Sequence, residues 1–268
     1  MIASGAYVTH QGAVRGDNQD AIYFHRVAAG CTMDTPLVAG YGGDRAWIIA
    51  VADGVGGANA GRRASAEVVQ ELMAGRNFSV LGVKALLREV NVKLFEVGER
   101  SVGCRGMGAA VAGLCWGMDG LLAFNLGDCR VYRQQDEFLA QITKDDSIAQ
   151  VLVEAGQAPA GGMRDGRIHS LTQCLGGQLQ LVEIDPHVHE VKLRHQERFL
   201  ICSDGLSDAL GLDEMEAVMK GRLAAAECVQ NLLNSALAHG AADNVSIVVV
   251  DVKPVSSDGE GRRLSNEG

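Results

Sequence analysis

Apolar positions along the chain follow two periods. Short apolar runs bounded by Gly, Asp or charged residues fall at Tyr7–His10, Ala21–His25 and Ala46–Ala52 and predict β-strands. Two stretches of helical period follow. In GRRASAEVVQELMA, Ala64, Val68, Val69 and Leu72 share one face; in VKALLREVNVKLFEVGER, Leu86, Leu87, Val90, Leu94 and Val97 do the same. The strand pattern returns at Ala109–Trp116, Leu121–Leu126, Arg130–Gln134 and Phe138–Ile142. Asp146 or Ser147 is positioned to cap a short helix over Ile148–Ala155, which Gly156 stops. Gly156–Arg167, GQAPAGGMRDGR, has the composition of a loop. Strands are expected again near Leu181–Val191 and Arg198–Cys202, helices over Asp213–Lys220 and Ala224–Ala238, and a last strand over Val245–Val252. The closing KPVSSDGEGRRLSNEG is polar and is expected to be a disordered tail.

Helices arrive in pairs and strands in meanders, so the order is not the alternation of a parallel sheet. It predicts an α+β fold, an α-β-β-α sandwich of two antiparallel sheets with helix pairs on the outer faces. Composition agrees: 47% of residues are hydrophobic and 21% charged, which gives a packed core. With 34 glycines and 4 prolines, tight turns at strand ends are expected. The net charge of -9 argues against nucleic acid or an anionic membrane as partner. No apolar run approaches the ~18–20 residues of a membrane span, and the N-terminus lacks the pattern of a signal peptide. Seven cysteines without a CxxC spacing, several of them in apolar strands, read as reduced buried thiols, and the localisation expected is cytoplasmic.

One feature departs from this bland picture. Asp53 in IIAVADG, Asp128 in LLAFNLGD, Asp204 in FLICSDG and Asp243 in HGAADNVSIVVV each stand at the edge of an apolar strand beside Gly or Asn. Asp20 in GDNQDAIYF stands at a strand start. Asp-Gly and Asp-Asn form good turns, and any single one needs no further reason. As a set they carry one. If the ends meet, four or five carboxylates share a rim and cannot all stay ionised without compensation. A hard divalent cation supplies it, and oxygen donors suit Mg²⁺ or Mn²⁺; no neighbouring His or Cys suggests zinc. Gly54 lets the backbone approach, so its carbonyl can ligate. Two ions on one rim acidify a shared water and offset the charge of a phosphate. Arg15, three residues before Asn18, is placed to hold phosphate oxygens.

These residues resemble those of the metal-dependent protein phosphatases, the PPM or type 2C family, and most of all its compact bacterial members. The blocks GAVRGDNQDAIYF, VADGVGG, GMGAAV, NLGDCRVYR, QITKDDS, LTQCLGG, CSDGLSD and ADNVSIVVV follow in the family's order from about Tyr7 to Val252. The resemblance implies one phosphatase domain over 1–252, with 253–268 as the tail. It implies Mn²⁺ or Mg²⁺, two ions per site and a third, weaker one, and hydrolysis of phosphoserine and phosphothreonine by attack of a metal-bridging hydroxide. Asp53 would bridge the ions, the Gly54 carbonyl would ligate one, Asp204 and Asp243 the other, and Asp128 the third. Asp20 would orient bound water, Arg15 would bind phosphate, and Gly156–Arg167 would form a mobile flap. The partners implied are phosphorylated proteins and an opposing Ser/Thr kinase on a separate chain. The alternatives are a non-catalytic phosphatase-like binding domain and a small-molecule phosphatase on the same scaffold. The chain also departs from the family pattern. Gln19 stands where Glu is frequent, Val55 where some members carry His, Asp146 where Asp-His-Ser is usual, and Ala109 and Ala110 where hydroxyls are usual. The general acid is thereby left unassigned between bound water and Asp146, and Asp146 is read mainly as a helix cap.

Overall fold

A computed structural model describes residues 1–43, 45–157, 170–193, 195–221 and 223–254. Thirteen strands and six α-helices are found among them. The first sheet holds β1 (Ile2–His10), β4 (Leu37–Tyr41), β8 (Arg130–Gln135), β9 (Phe138–Gln141), β12 (Glu197–Cys202) and β13 (Val245–Lys253), in the order β4-β1-β13-β12-β8-β9. The second holds β2 (Asp20–Phe24), β3 (Arg26–Ala29), β5 (Trp47–Val55), β6 (Gly108–Gly117), β7 (Gly120–Leu126) and β11 (His187–Glu190), in the order β11-β7-β6-β5-β2-β3, with β10 (Leu175–Gly176) beside β6. All of these pairings are antiparallel.

Three apolar layers follow from strand alternation, because successive side chains leave a strand on opposite faces. Ile49, Val51, Ile201 and Val248 fill the space between the sheets. Ile48, Ala50 and Ala52 face the other way, onto the long helices α1 (Ala58–Ala74) and α2 (Val80–Arg100) through Val68, Leu72, Leu87 and Leu94. Val249, Ile247 and Leu200 pack on α4 (Asp204–Ala209), α5 (Leu212–Lys220) and α6 (Ala225–Ala238) through Leu206, Met215 and Leu232. This is the α-β-β-α sandwich expected. No described helix is long and apolar enough to cross a membrane. Five of the seven cysteines are buried, and all are free thiols.

Several elements differ from the sequence reading. The strand expected over Leu181–Val191 is confined to His187–Glu190, because the preceding segment lies along α2, where Asn91 donates to the Val182 carbonyl at 2.9 Å. β3, β4 and β10 were not foreseen; the first two are sheet edges with exposed residues, and the third has two residues. β5 does not stop at Asp53 but continues to Val55. The cap of α3 (Ile148–Glu154) is Ser147, whose side chain accepts from the Gln150 amide. β13 extends through Lys253, and residues 255–268 of the tail lie outside the described residues.

Candidate metal centre

The five carboxylates lie at or beside the ends of separate elements, next to strands of both sheets. Asp20 opens β2 and lies directly across from Asp53 of β5 in the ladder, while Ala110 and Ala109 of β6 face Asp53 and Gly54 on the other side. Asp128 occupies the turn between β7 and β8, after Gly127 at φ 97°. Asp204 begins α4, and Asp243 lies two residues before the start of β13. After Val55 the chain turns through Gly56 and Gly57, whose φ values of 113° and 90° favour glycine, and enters α1. A Cβ on Gly54 would overlap the Gly61 carbonyl, so α1 crosses the strand end at glycine-to-glycine distance.

The network beneath this rim spans both sheets. Ser203 Oγ donates to Asp20 Oδ2 at 2.8 Å and accepts from the Ser246 amide at 3.0 Å. Ser203 is the N-cap residue of α4, but its hydroxyl is committed to Asp20 and makes no cap hydrogen bond. Ser246 Oγ lies 2.8 Å from Thr9 Oγ1, which also accepts from Asn18 Nδ2 at 2.7 Å. Asp20 Oδ1 and Asp204 Oδ1 are buried without a hydrogen-bond partner.

Burial pushes all four inner carboxyls up, and their mutual repulsion adds to it. Asp20 is pushed up to about 7, with Asp204 and Asp243 contributing against the lowering hydrogen bonds of Ser246 and Ser203. Asp128 rises to about 8, by burial and then Asp204, and Asp204 to about 6, by burial and then Asp208. Asp53 lies well above the usual carboxylate range, by burial and then the charges of Asp20, Asp204 and Asp128. Buried like charges with orphaned oxygens fit a hard cation, because an ion removes both the repulsion and the unsatisfied acceptors. No three of the described side chains close on one point as a finished cage. The remaining positions of such a shell fall to backbone carbonyl and water, as for Mg²⁺-like ions that keep part of their hydration.

Arg15 faces the rim. Its Nη2 donates to Asp243 Oδ2 at 2.6 Å, and this bond, with the smaller influence of Asp53 and Asp204, raises its pKa. The loop carrying Arg15 is held by a residue that the sequence reading did not single out. Asn244 accepts from the Gln19 amide at 2.8 Å, and its Nδ2 donates to the carbonyls of Gln11 at 2.9 Å and Asp17 at 2.8 Å. Its own amide donates to Asp243 Oδ1 at 2.8 Å. Ser65 Oγ on α1 donates to the Gln19 carbonyl at 2.5 Å, and Arg62 pairs with Asp17 at 2.7 Å. The available signal for Asn244 was an Asx residue at a strand start beside a site carboxylate.

Comparison with known proteins decides the family. The family model described as protein phosphatase 2C matches residues 38–240. The chain belongs to the protein phosphatase 2C family. Among curated relatives, the serine/threonine protein phosphatase PstP of Mycobacterium tuberculosis is 31% identical over 249 residues, which is 90% of this chain. The chain spans only 43% of that relative's length. The serine/threonine phosphatase stp of Listeria monocytogenes is 28% identical over 76% of this chain and 84% of its own. Among solved structures, the M. tuberculosis PstP/Ppp phosphatase superposes with a TM-score of 0.78 at 28% identity, covering 95% of this chain and all of the other. The catalytic domain of PstP in complex with 2 manganese ions gives 0.75, with the same identity and coverage.

Against the type 2C pattern, one reading needs correction. Asp146 is not a helix cap. Its Oδ2 accepts from the Gly127 amide at 2.9 Å, and its Oδ1 accepts from Gln173 Nε2 at 3.1 Å and lies 2.9 Å from His187 Nε2. Val55 ends β5 opposite Gly108. Most of the expected flap, residues 158–167, lies outside the described residues; Gly156 and Gln157 follow α3.

Proposed function

We infer that this type 2C chain is a metal-dependent protein serine/threonine phosphatase, cleaving phosphoserine and phosphothreonine monoesters. One observation carries the reading. Carboxylates from five separate places in the chain come together at the strand and helix ends, with a guanidinium facing them. The names of the relatives and the two manganese ions of the PstP catalytic domain support it.

Asp53, central among the carboxyls, would serve two cations, with the Gly54 carbonyl on one and Asp204 and Asp243 on the other. Asp128 would hold a third. Mn²⁺ or Mg²⁺ bound there would supply Lewis acidity and lower the pKa of water beside the phosphoryl group. Asp20, fixed by Ser203, would accept a hydrogen bond from such a water and so orient it. Arg15 would donate to phosphate oxygens. Val55 offers no proton to the leaving alkoxide, and Asp146 is bound elsewhere, so that proton is assigned to solvent at the rim. The substrates would be phosphorylated proteins, the opposing enzyme a Ser/Thr kinase, and the compartment the cytoplasm.

Hydrolysis of a phosphothreonine peptide tests this. Chelation should abolish turnover and Mn²⁺ restore it, and Asp53→Ala or Asp204→Ala should be inactive while retaining native circular dichroism. Wild-type turnover in either variant would remove the assignment. A chain that binds Mn²⁺ but turns over neither peptide nor p-nitrophenyl phosphate would be a binding domain.

A further inference from the structure

The buried Asp146 and the partly exposed His187 form a pair with no part in the chemistry outlined above, and the bonds around it join three separate segments. Asp146 is 6% exposed. Its carboxylate already accepts from the Gly127 amide and from Gln173, so His187 Nε2 is the donor in the third contact, at 2.9 Å. The main chain repeats the connection. The Asp146 amide donates to the Gly127 carbonyl at 2.9 Å, and the Thr172 amide donates to the Asp146 carbonyl at 2.8 Å. A bridge between Ser147 and Leu171, and the Ile148 amide on the Ser170 carbonyl at 3.0 Å, close the base of the segment that begins with α3. Gln173 in turn accepts from the Asp185 amide at 2.9 Å, two residues before His187.

Gly127 immediately precedes Asp128. Asp128 lines a cavity of about 220 Å³ together with Asp204, Asp208, Ser147, Gln150 and Val153. Asp145 also lines it, anchored by Arg130 in a two-pronged contact of 2.7 and 3.0 Å, but Asp146 does not. Asp146 itself touches the Gly127–Asp128 turn, through its Oδ2 and through its main-chain amide.

We propose that the Asp146–His187 pair is a positioning device for Asp128: it holds the Gly127–Asp128 turn against Ser170–Gln173 and β11, and so sets how tightly Asp128 takes up its cation. The inference rests on the assignment of Asp128 to a third, weaker ion. Asp146 holds the turn through Oδ2, while Gln173 and His187 fix Asp146 through Oδ1.

Calorimetric titration with Mn²⁺ tests it without relying on turnover, so failure of the phosphatase reading and failure of this one stay distinguishable. For Asp146→Ala the weaker binding phase should lose about 10-fold in affinity, as for loss of a group that orients a ligand, while the tight phase stays put. Asp146→Asn keeps an acceptor for the Gly127 amide but turns an NH2 toward Gln173 and His187, so it should recover the weak phase in part, as His187→Ala does, with kcat at saturating Mn²⁺ within about threefold of wild type. His187→Ala, at a partly exposed side chain, should give an intermediate loss and keeps the test open if Asp146→Ala does not fold. The double variant should be no worse than Asp146→Ala, because the two act as one unit. An effect on melting temperature alone, with both phases unchanged, would overturn the proposal, and so would a wild-type titration without a weaker phase. A fall of about 100-fold in kcat for Asp146→Asn at saturating Mn²⁺ would instead make Asp146 a general acid.

Discussion

Asn244 uses its whole side chain to hold the loop that carries Arg15, and its amide to hold Asp243. It is 2% exposed, and its partners lie up to 233 residues away in sequence. Asn244→Ala leaves the Gln19 amide and the Gln11 and Asp17 carbonyls without their partner. The expected cost is about 1–3 kcal/mol of stability by denaturant titration, the range for unsatisfied buried groups. Arg15 should then sit less accurately, and kcat/KM for a phosphopeptide should fall about 10–100-fold. Mn²⁺ affinity should hold, because the bond to Asp243 comes from the backbone. Unchanged kcat/KM would show that the loop keeps its place without Asn244. Four carboxylates of the rim stand out in the sequence because each lies at the edge of an apolar strand beside Gly or Asn, and Asp20 because it opens a strand. Asn244 has only a weak local signal, an Asx residue at a strand start, and nothing local marks the other half of its clasp at the opposite end of the chain. Asp146 misled for a related reason: beside Ser147 it has the composition of a cap, and only the long-range contacts to Gly127 and His187 show otherwise.

At the scale of elements, α1 and α2 were legible because 17 and 21 residues give several turns of apolar period. α4 was not, since its six residues begin directly after a strand and hold too few turns for a period. β3 and β4 escaped because edge strands need not alternate. α1 crosses the end of β5 with Gly61 against the Gly54 carbonyl, and the crossing allows no side chain at either glycine. A methyl on Gly61 would overlap the Gly54 carbonyl and Gln19 Oε1. Alanine gains up to about 1 kcal/mol of helix propensity over glycine. The obstacle is backbone and does not yield, so overpacking, typically about 1–3 kcal/mol, should win. Gly61→Ala is therefore expected to lower the melting temperature and to weaken Mn²⁺ binding by calorimetry. A melting temperature at or above wild type would mean that helix and strand separate without cost.

For the whole molecule, the layer order was legible from the sequence of periods, but the meeting of five strand and helix ends was not, since spacing does not say which ends share a rim. That meeting places a charge cluster across the junction of the two sheets, and its pH dependence has a definite sign. Asp20, Asp128 and Asp204 carry folded pKa values of about 7, 8 and 6, and Asp53 is raised as well, all from a usual value of 3.8. A carboxyl whose folded pKa is raised binds more protons folded than unfolded, so stability falls as pH climbs from the unfolded value through the folded one. Chelated protein should thus lose melting temperature between about pH 4 and 8 from this cluster. His189 opposes the trend, because burial lowers its pKa and a neutral buried imidazole is favoured as pH rises. Asp185, Glu154 and Glu216 have lowered values and act below this window. Asp53→Asn removes the central charge and leaves His189 in place, so the difference between the two metal-free pH profiles isolates the cluster. It should grow in favour of the variant toward pH 8. Saturating Mn²⁺ should reverse the order, raising the wild-type melting temperature most at high pH, where the carboxylates are free of protons, and leaving Asp53→Asn little changed. Parallel profiles for the two proteins in chelator would mean that the rim carries no mutual repulsion, and the electrostatic case for cations there would fall with it.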